Sequence, residues 1–176
     1  MKFNATEQTV RDAASAIKLL LLDVDGVLTD GRLYYSNSGE EMKAFSTLDG
    51  HGIKMLRQNG VEVGIITGRQ SELLARRAAE LGISLLYQGR EDKLNVFADI
   101  LAERQLSREQ IAYAGDDFPD LPVLTAVGLS FSVPAGHPDV RMRVDAITDA
   151  EAGLGAVREI GDFILQCQDK YQQLLP

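Results

Sequence analysis

Residues 17–31 read Ile17-Lys18-Leu19-Leu20-Leu21-Leu22-Asp23-Val24-Asp25-Gly26-Val27-Leu28-Thr29-Asp30-Gly31. A short aliphatic run that stops at an acidic, glycine-containing turn is the pattern of a buried strand entering a loop. The pattern recurs at Val61 to Ile66, Ile83 to Tyr87, Ile111 to Ala114 and Gly128 to Ser132. Between these runs lie helix-like stretches at about Gly52 to Gln58, Ser71 to Leu81, Lys93 to Arg104 and Leu121 to Ala126. Such alternation predicts an α/β fold around a parallel sheet. Ser71 reads as an N-cap, and Gly82 stands where a helix C-terminus favours positive φ. Two pieces break the alternation. Arg32 to Tyr35 and Glu41 to Phe45 flank Ser36-Asn37-Ser38-Gly39 and predict a β-hairpin inserted after the first strand, a flap over about residues 32–45. Near the C-terminus Val157, Ile160, Ile164 and Cys167 fall at helical spacing, which predicts a long helix over about Gly155 to Leu175.

The chain has 176 residues, 45% of them hydrophobic, enough for one sizeable core, so a single domain over 1–176 is expected. Its net charge is -8 and its Lys and Arg are dispersed, which argues against a nucleic-acid partner. The most apolar stretch, Ile17 to Leu22, is far shorter than the roughly 20 residues a bilayer requires, so no membrane span is expected. Glu7, Arg11 and Asp12 fall where a signal peptide would be apolar, and the expected location is the cytoplasm. Cys167, His51 and His137 are too few soft ligands for a structural zinc site, so any metal should be a hard cation held by oxygen.

Ligands of an open parallel sheet collect at the carboxyl ends of its strands. Four polar clusters fall there: Asp23-Val24-Asp25-Gly26, Thr67-Gly68-Arg69, Lys93 and Gly115-Asp116-Asp117. Each alone has a plainer reading: a turn, a capped loop, a solvated lysine, or a loop with two exposed acids. A calcium loop fits poorly, because Val27 occupies a ligand position and the preceding segment is strand-like. What argues for chemistry is that all four occur in strand order.

These four motifs resemble those of the haloacid dehalogenase superfamily, over Ile17 to about Ser132. The resemblance implies a Rossmann-like three-layer sandwich and a magnesium-dependent phosphatase. A carboxylate can attack phosphorus and divide a hard hydrolysis into two easier steps, so Asp23 would be the nucleophile. Asp25 would protonate the leaving alcohol and then take a proton from water. Mg2+ would be held by Asp23, Asp116 and, on the superfamily pattern, the backbone carbonyl of Asp25, with Asp117 in the layer behind. Thr67 and Lys93 would engage the transferring phosphoryl group. Asp25 speaks against a transport ATPase, which has threonine there, and Lys93 preceding Asp116 speaks against a signalling receiver domain. Forty-two positions from Asp25 to Thr67 and twenty-six from Thr67 to Lys93 leave room for the hairpin but no cap domain. An open site of this kind calls for cover by a neighbouring copy, against which Leu33, Tyr35, Met42 and Phe45 could pack.

The similarity narrows with Asp23 to Gly31, Phe45-x-x-x-Asp49-Gly50-x-Gly52-Ile53, Ile66-Thr67-Gly68-Arg69, Tyr87-Gln88-Gly89 and Gly155-Ala156-Val157-Arg158-Glu159, which resemble the 3-deoxy-D-manno-octulosonate 8-phosphate phosphatases. That likeness implies a homotetramer, a small acidic sugar-phosphate substrate and a place in lipopolysaccharide biosynthesis. It also implies substrate contacts at Asp25, Ser46, Thr47, Leu48, Asp49, Gly50, Lys54, Gly68, Arg69, Arg77 and Lys93. Arg77 could equally be an exposed helix arginine, and Asp49-Gly50-His51-Gly52 a loop capping the next helix. His51 receives no catalytic role. Ala152 where the family commonly has glycine bears on how the C-terminal tail covers a neighbouring site. Lys54 where arginine is frequent bears on how the carboxylate is held. Two alternatives stay open: a phosphatase of another acidic sugar phosphate such as an N-acylneuraminate 9-phosphate, and a non-catalytic oligomerisation module.

Overall fold

The structure is a computed structural model that describes residues 1–37 and 41–175. Among these residues the elements run β1 (Lys2–Phe3), α1 (Glu7–Ser15), β2 (Leu19–Leu22), β3 (Tyr34–Tyr35), β4 (Glu41–Met42), α2 (Thr47–Gln58), β5 (Glu62–Ile66), α3 (Glu72–Leu81), β6 (Leu85–Tyr87), α4 (Lys93–Arg104), β7 (Ile111–Ala114), α5 (Leu121–Leu124), β8 (Leu129–Ser132), α6 (Pro138–Arg141), β9 (Ala146–Ile147) and α7 (Ala156–Cys167). Short 3-10 turns lie at Arg108–Gln110, Phe118–Asp120 and Tyr171–Leu174.

A seven-stranded sheet runs in the order β1-β9-β8-β7-β2-β5-β6, parallel throughout except for β1 against β9 at one edge. All four leucines of β2 are buried, which is why its sequence shows no polar alternation. Leu20 and Leu22 join a core cluster with residues of α1, α2, α3 and α7, while Leu19 and Leu21 join another with α4, α5 and α6. Because side chains alternate across a strand, these clusters lie on opposite faces, giving the three-layer α/β sandwich.

Four sequence expectations differ from the structure. Helix α2 starts at Thr47 rather than Gly52, capped by Ser46 Oγ, which accepts from the amides of Leu48 and Asp49 at 3.1 and 3.4 Å. Gly50 and Gly52 therefore lie inside a helix, and a Cβ on Gly52 would stand 3.0 Å from Arg158 Cα, so glycine here permits close packing of α2 on α7. The long C-terminal helix stops at Cys167. Asp169 takes φ 56, its amide bonds Gln166 O and the Lys170 amide bonds Leu165 O, a Schellman ending that the apolar spacing does not reveal. Ser71 occupies the N-cap position of α3, but its hydroxyl makes no capping bond. Finally, β1, α1, α6 and β9 are additional to the expected elements; β1 and β9 have two residues each, too few to carry a period. Gly82 ends α3 at φ 70 as its position suggests. In the hairpin region β3 and β4 pair antiparallel, Tyr34 with Met42, while Ser38 and Gly39 of the expected loop lie outside the described residues.

Candidate active site

Strand register builds the site. Leu22 lies opposite Ile65 of β5 and Ala114 of β7, so β2 and β7 end level and β5 runs one residue further. From β2 the chain moves outward through β5 and β6, then returns to the other side at β7, making β2 the switch point where a parallel sheet opens a crevice. Backbone pairing continues one residue past each strand: Asp23 N to Ala114 O at 3.0 Å, Thr67 N to Tyr87 O at 2.9 Å and Gly115 N to Phe131 O at 3.1 Å. A cleft of about 780 Å³ results, lined by Asp23, Asp25, Thr67, Gly68, Arg69, Lys93, Asp116 and Asp117 among others.

Within it, Lys93 at the first turn of α4 is buried and donates to Asp23 Oδ1 and to Asp120 Oδ1, each at 2.7 Å. Asp120 is not among the residues that the sequence singles out. Its Oδ1 also accepts from the Tyr113 hydroxyl at 2.6 Å, and its Oδ2 from the amides of Asp116 and Asp117 at 3.0 and 3.3 Å. The signal available was an acid four residues beyond Asp116, at the start of the following helix.

Carboxylate oxygens of Asp23, Asp116 and Asp120 come within 4.8 Å of one another. Burial, then repulsion by Asp120, pushes the Asp23 carboxyl up to about 6 against the pull of Lys93. Burial and repulsion by Asp23, Asp120 and Asp117 push Asp116 up to about 7. One buried lysine thus leaves the cluster short of positive charge, and its donors are all hard oxygens, which suits Mg2+. Asp120 is already saturated by four donors, so Asp23 and Asp116 are the carboxylates able to reach a cation. Gly26, at φ +102, brings its backbone against the Asp116 carboxylate, where a Cβ would overlap the carboxylate oxygens.

Asp25 forms an ion pair with Lys43, next to β4, and its Oδ2 lies 3.8 Å from Arg69 Nε. Arg69 also donates to the Tyr35 hydroxyl at 2.9 Å, and its amide donates to Thr67 Oγ1 at 3.3 Å. Asp117 accepts from the Phe118 amide at 2.8 Å.

The remaining candidates lie elsewhere in the chain. Thr47, Gly50, His51, Lys54 and Arg77 line a groove beside α2 and α3, and Leu48 is exposed at the start of α2. Arg77 donates to the Ser46 carbonyl at 3.2 Å. Asp49 is buried and accepts from the amides of Gly155 and Arg158 at 3.3 and 2.8 Å, at the N-terminus of α7.

No protein-family model matches the chain. The 3-deoxy-D-manno-octulosonate 8-phosphate phosphatase KdsC of Escherichia coli K12 is 48% identical over 160 residues, 91% of this chain and 85% of that protein. The crystal structure of the Yersinia pestis phosphatase of the same name superposes with a TM-score of 0.92 at 48% identity, covering 93% of this chain and 89% of that one. The Moraxella catarrhalis phosphatase, solved with magnesium, phosphate and KDO, superposes with a TM-score of 0.94 at 40% identity, covering 96% and 97%.

Proposed function

Because the chain belongs to the 3-deoxy-D-manno-octulosonate 8-phosphate phosphatase family of the haloacid dehalogenase superfamily, we propose that it hydrolyses that sugar phosphate to 3-deoxy-D-manno-octulosonate and inorganic phosphate. One observation carries this reading: four motifs from four strand ends converge on one cleft in which two carboxylates, Asp23 and Asp116, are held near a buried lysine.

In this mechanism an oxygen of Asp23 attacks phosphorus, and the bond from phosphorus to the sugar oxygen breaks. Asp25 gives its proton to that oxygen, so the sugar leaves as an alcohol. Water then attacks the phosphorus of the aspartyl phosphate while Asp25 takes its proton back. The bond to Asp23 breaks and phosphate is released. Lys93, Thr67 and the backbone around Gly68 counter the charge of the transferring group. Asp23, Asp116 and the Asp25 carbonyl would hold Mg2+, which would supply Lewis acidity and relieve the repulsion between nucleophile and phosphate.

We read the chain as one domain, in which Lys54, Arg77 and residues 46–50 are not among those lining the cleft. Leu33, Tyr35 and Met42 are exposed, whereas Phe45 packs against the core, 6.0 Å beneath the Arg77 guanidinium. In our reading a cytoplasmic homotetramer buries the exposed three and carries the basic groove of one copy to the cleft of another. No helix among the described residues is long and apolar enough to cross a membrane.

The test is a panel of phosphate esters with magnesium and then with chelator. The highest kcat/KM should fall on 3-deoxy-D-manno-octulosonate 8-phosphate and vanish with chelator. A preference for N-acylneuraminate 9-phosphate would reassign the substrate, and absence of phosphate release from any ester would leave the oligomerisation module.

A further inference from the structure

The hairpin is tied to the cleft at two places, and both ties lead to Asp25. From β3, the Tyr35 hydroxyl accepts a hydrogen bond from Arg69, whose Nε lies 3.8 Å from Asp25 Oδ2. Just beyond β4, the Lys43 ammonium donates directly to Asp25 Oδ1. Lys43 is unlike an ordinary surface lysine, since its side chain is only 2% exposed and a buried ammonium requires an opposing charge. Among the described residues, one opposing charge it meets is the carboxylate that the proposed mechanism uses twice.

We infer that Lys43 is a positioning residue for the general acid: by binding Asp25 Oδ1 it fixes the carboxyl rotamer, with Oδ2 on the Arg69 side of the cleft. An unrestrained aspartate samples several staggered rotamers, and only one aims its carboxyl at the leaving oxygen. Holding one oxygen from behind selects that rotamer. This inference rests on the reading of Asp25 as the acid.

Leaving-group dependence separates this role from a merely structural one. A p-nitrophenolate departs without a proton, whereas a sugar alkoxide needs one, so misplacing the acid harms the second far more. The pre-steady-state phosphorylation rate is measured for p-nitrophenyl phosphate and for the sugar phosphate, in wild type, Lys43→Met, Lys43→Arg and Asp25→Asn, all with magnesium. Lys43→Met should slow reaction of the sugar phosphate at least about tenfold more than that of p-nitrophenyl phosphate. Lys43→Arg, which keeps the charge, should recover part of the difference. Equal losses on both esters in Lys43→Met, including loss through misfolding, together with no ester-dependent defect in Lys43→Arg, would overturn the inference. Asp25→Asn tells the two failures apart. If it lacks the leaving-group signature, the assignment of Asp25 falls; if it shows the signature and neither Lys43 variant does, only the role of Lys43 falls.

Discussion

Lys93 Nζ stands 2.7 Å from Asp120 Oδ1, the same distance that separates it from the proposed nucleophile. Asp120 therefore shares the lysine with Asp23 and limits how far the ammonium can collapse onto it. Replacing Asp120 by Ala would leave Asp23 as the only carboxylate bonded to Lys93 among the described residues, beside the Tyr113 hydroxyl at 3.4 Å, and orphan the amides of Asp116 and Asp117. Removing one partner from a buried charge network typically costs about 3 kcal/mol. We expect Asp120→Ala to lower stability by about that amount in a denaturant titration, and kcat to fall at least about tenfold as Lys93 pairs tightly with the nucleophile.

The charge state of the cluster predicts an unusual pH profile. Asp23 and Asp116 are raised to about 6 and about 7, above the ordinary carboxylate value, so between about pH 4 and 7 the folded protein holds more protons than the unfolded chain. As far as these groups are concerned, metal-free protein should then be most stable at and below about pH 4, and should lose stability progressively as pH rises from about 4 to 7. Mg2+ requires the deprotonated carboxylates, so its stabilising effect should be larger at pH 7.5 than at pH 5.5, by roughly 5 °C in Tm. Thermal melts with and without magnesium at both pH values check this; a magnesium increment that shrinks as pH rises would contradict it.

Gly26 offers a sharp steric test. Alanine there would combine φ +102 with a Cβ overlapping the Asp116 carboxylate. Gly60 is a control at φ +83, where an added methyl would meet no atom within 4 Å. Gly26→Ala should weaken magnesium binding and activity by more than about 100-fold, whereas Gly60→Ala should cost only about 1 kcal/mol of stability and keep activity. Isothermal titration with Mg2+ and steady-state kinetics distinguish the pair.

Arg77 lines a groove beside α2 and α3 and is not among the residues lining the cleft. If neighbouring copies complete each other's sites, co-refolded Asp23→Asn and Arg77→Ala chains should be more active than the sum of the two variants alone, because some mixed contacts unite an intact cleft with an intact groove. Activity equal to that sum would place Arg77 in its own chain's chemistry or outside the reaction.

Much of this was legible in the chain. The leucines of β2 and the abrupt change at Asp23 mark a buried strand ending in a polar loop, because a doubly covered strand must be apolar on both faces and its loop must carry the polar work; that β2 is the switch point follows only from the strand order. Lys93 was found at the first residue of its helix. Asp120 was not, since its partner Lys93 lies 27 positions away and only the fold joins them. Nor was the start of α2, where Gly50 and Gly52 imitate a loop although the second serves helix packing. Lys43 is illegible in the sequence for a related reason: a lysine in a short amphipathic hairpin reads as solvated, and only the fold brings the Asp25 carboxylate beside it.

The central claim is that phosphorus passes through Asp23. Asp25→Asn enzyme, mixed with p-nitrophenyl phosphate and magnesium and quenched in acid within the burst, should carry one phosphoryl group on the peptide containing Asp23, because phosphorylation proceeds without the acid while hydrolysis of the intermediate is slowed. Release of p-nitrophenolate and phosphate in step, with that peptide unmodified at every time point, would contradict the account.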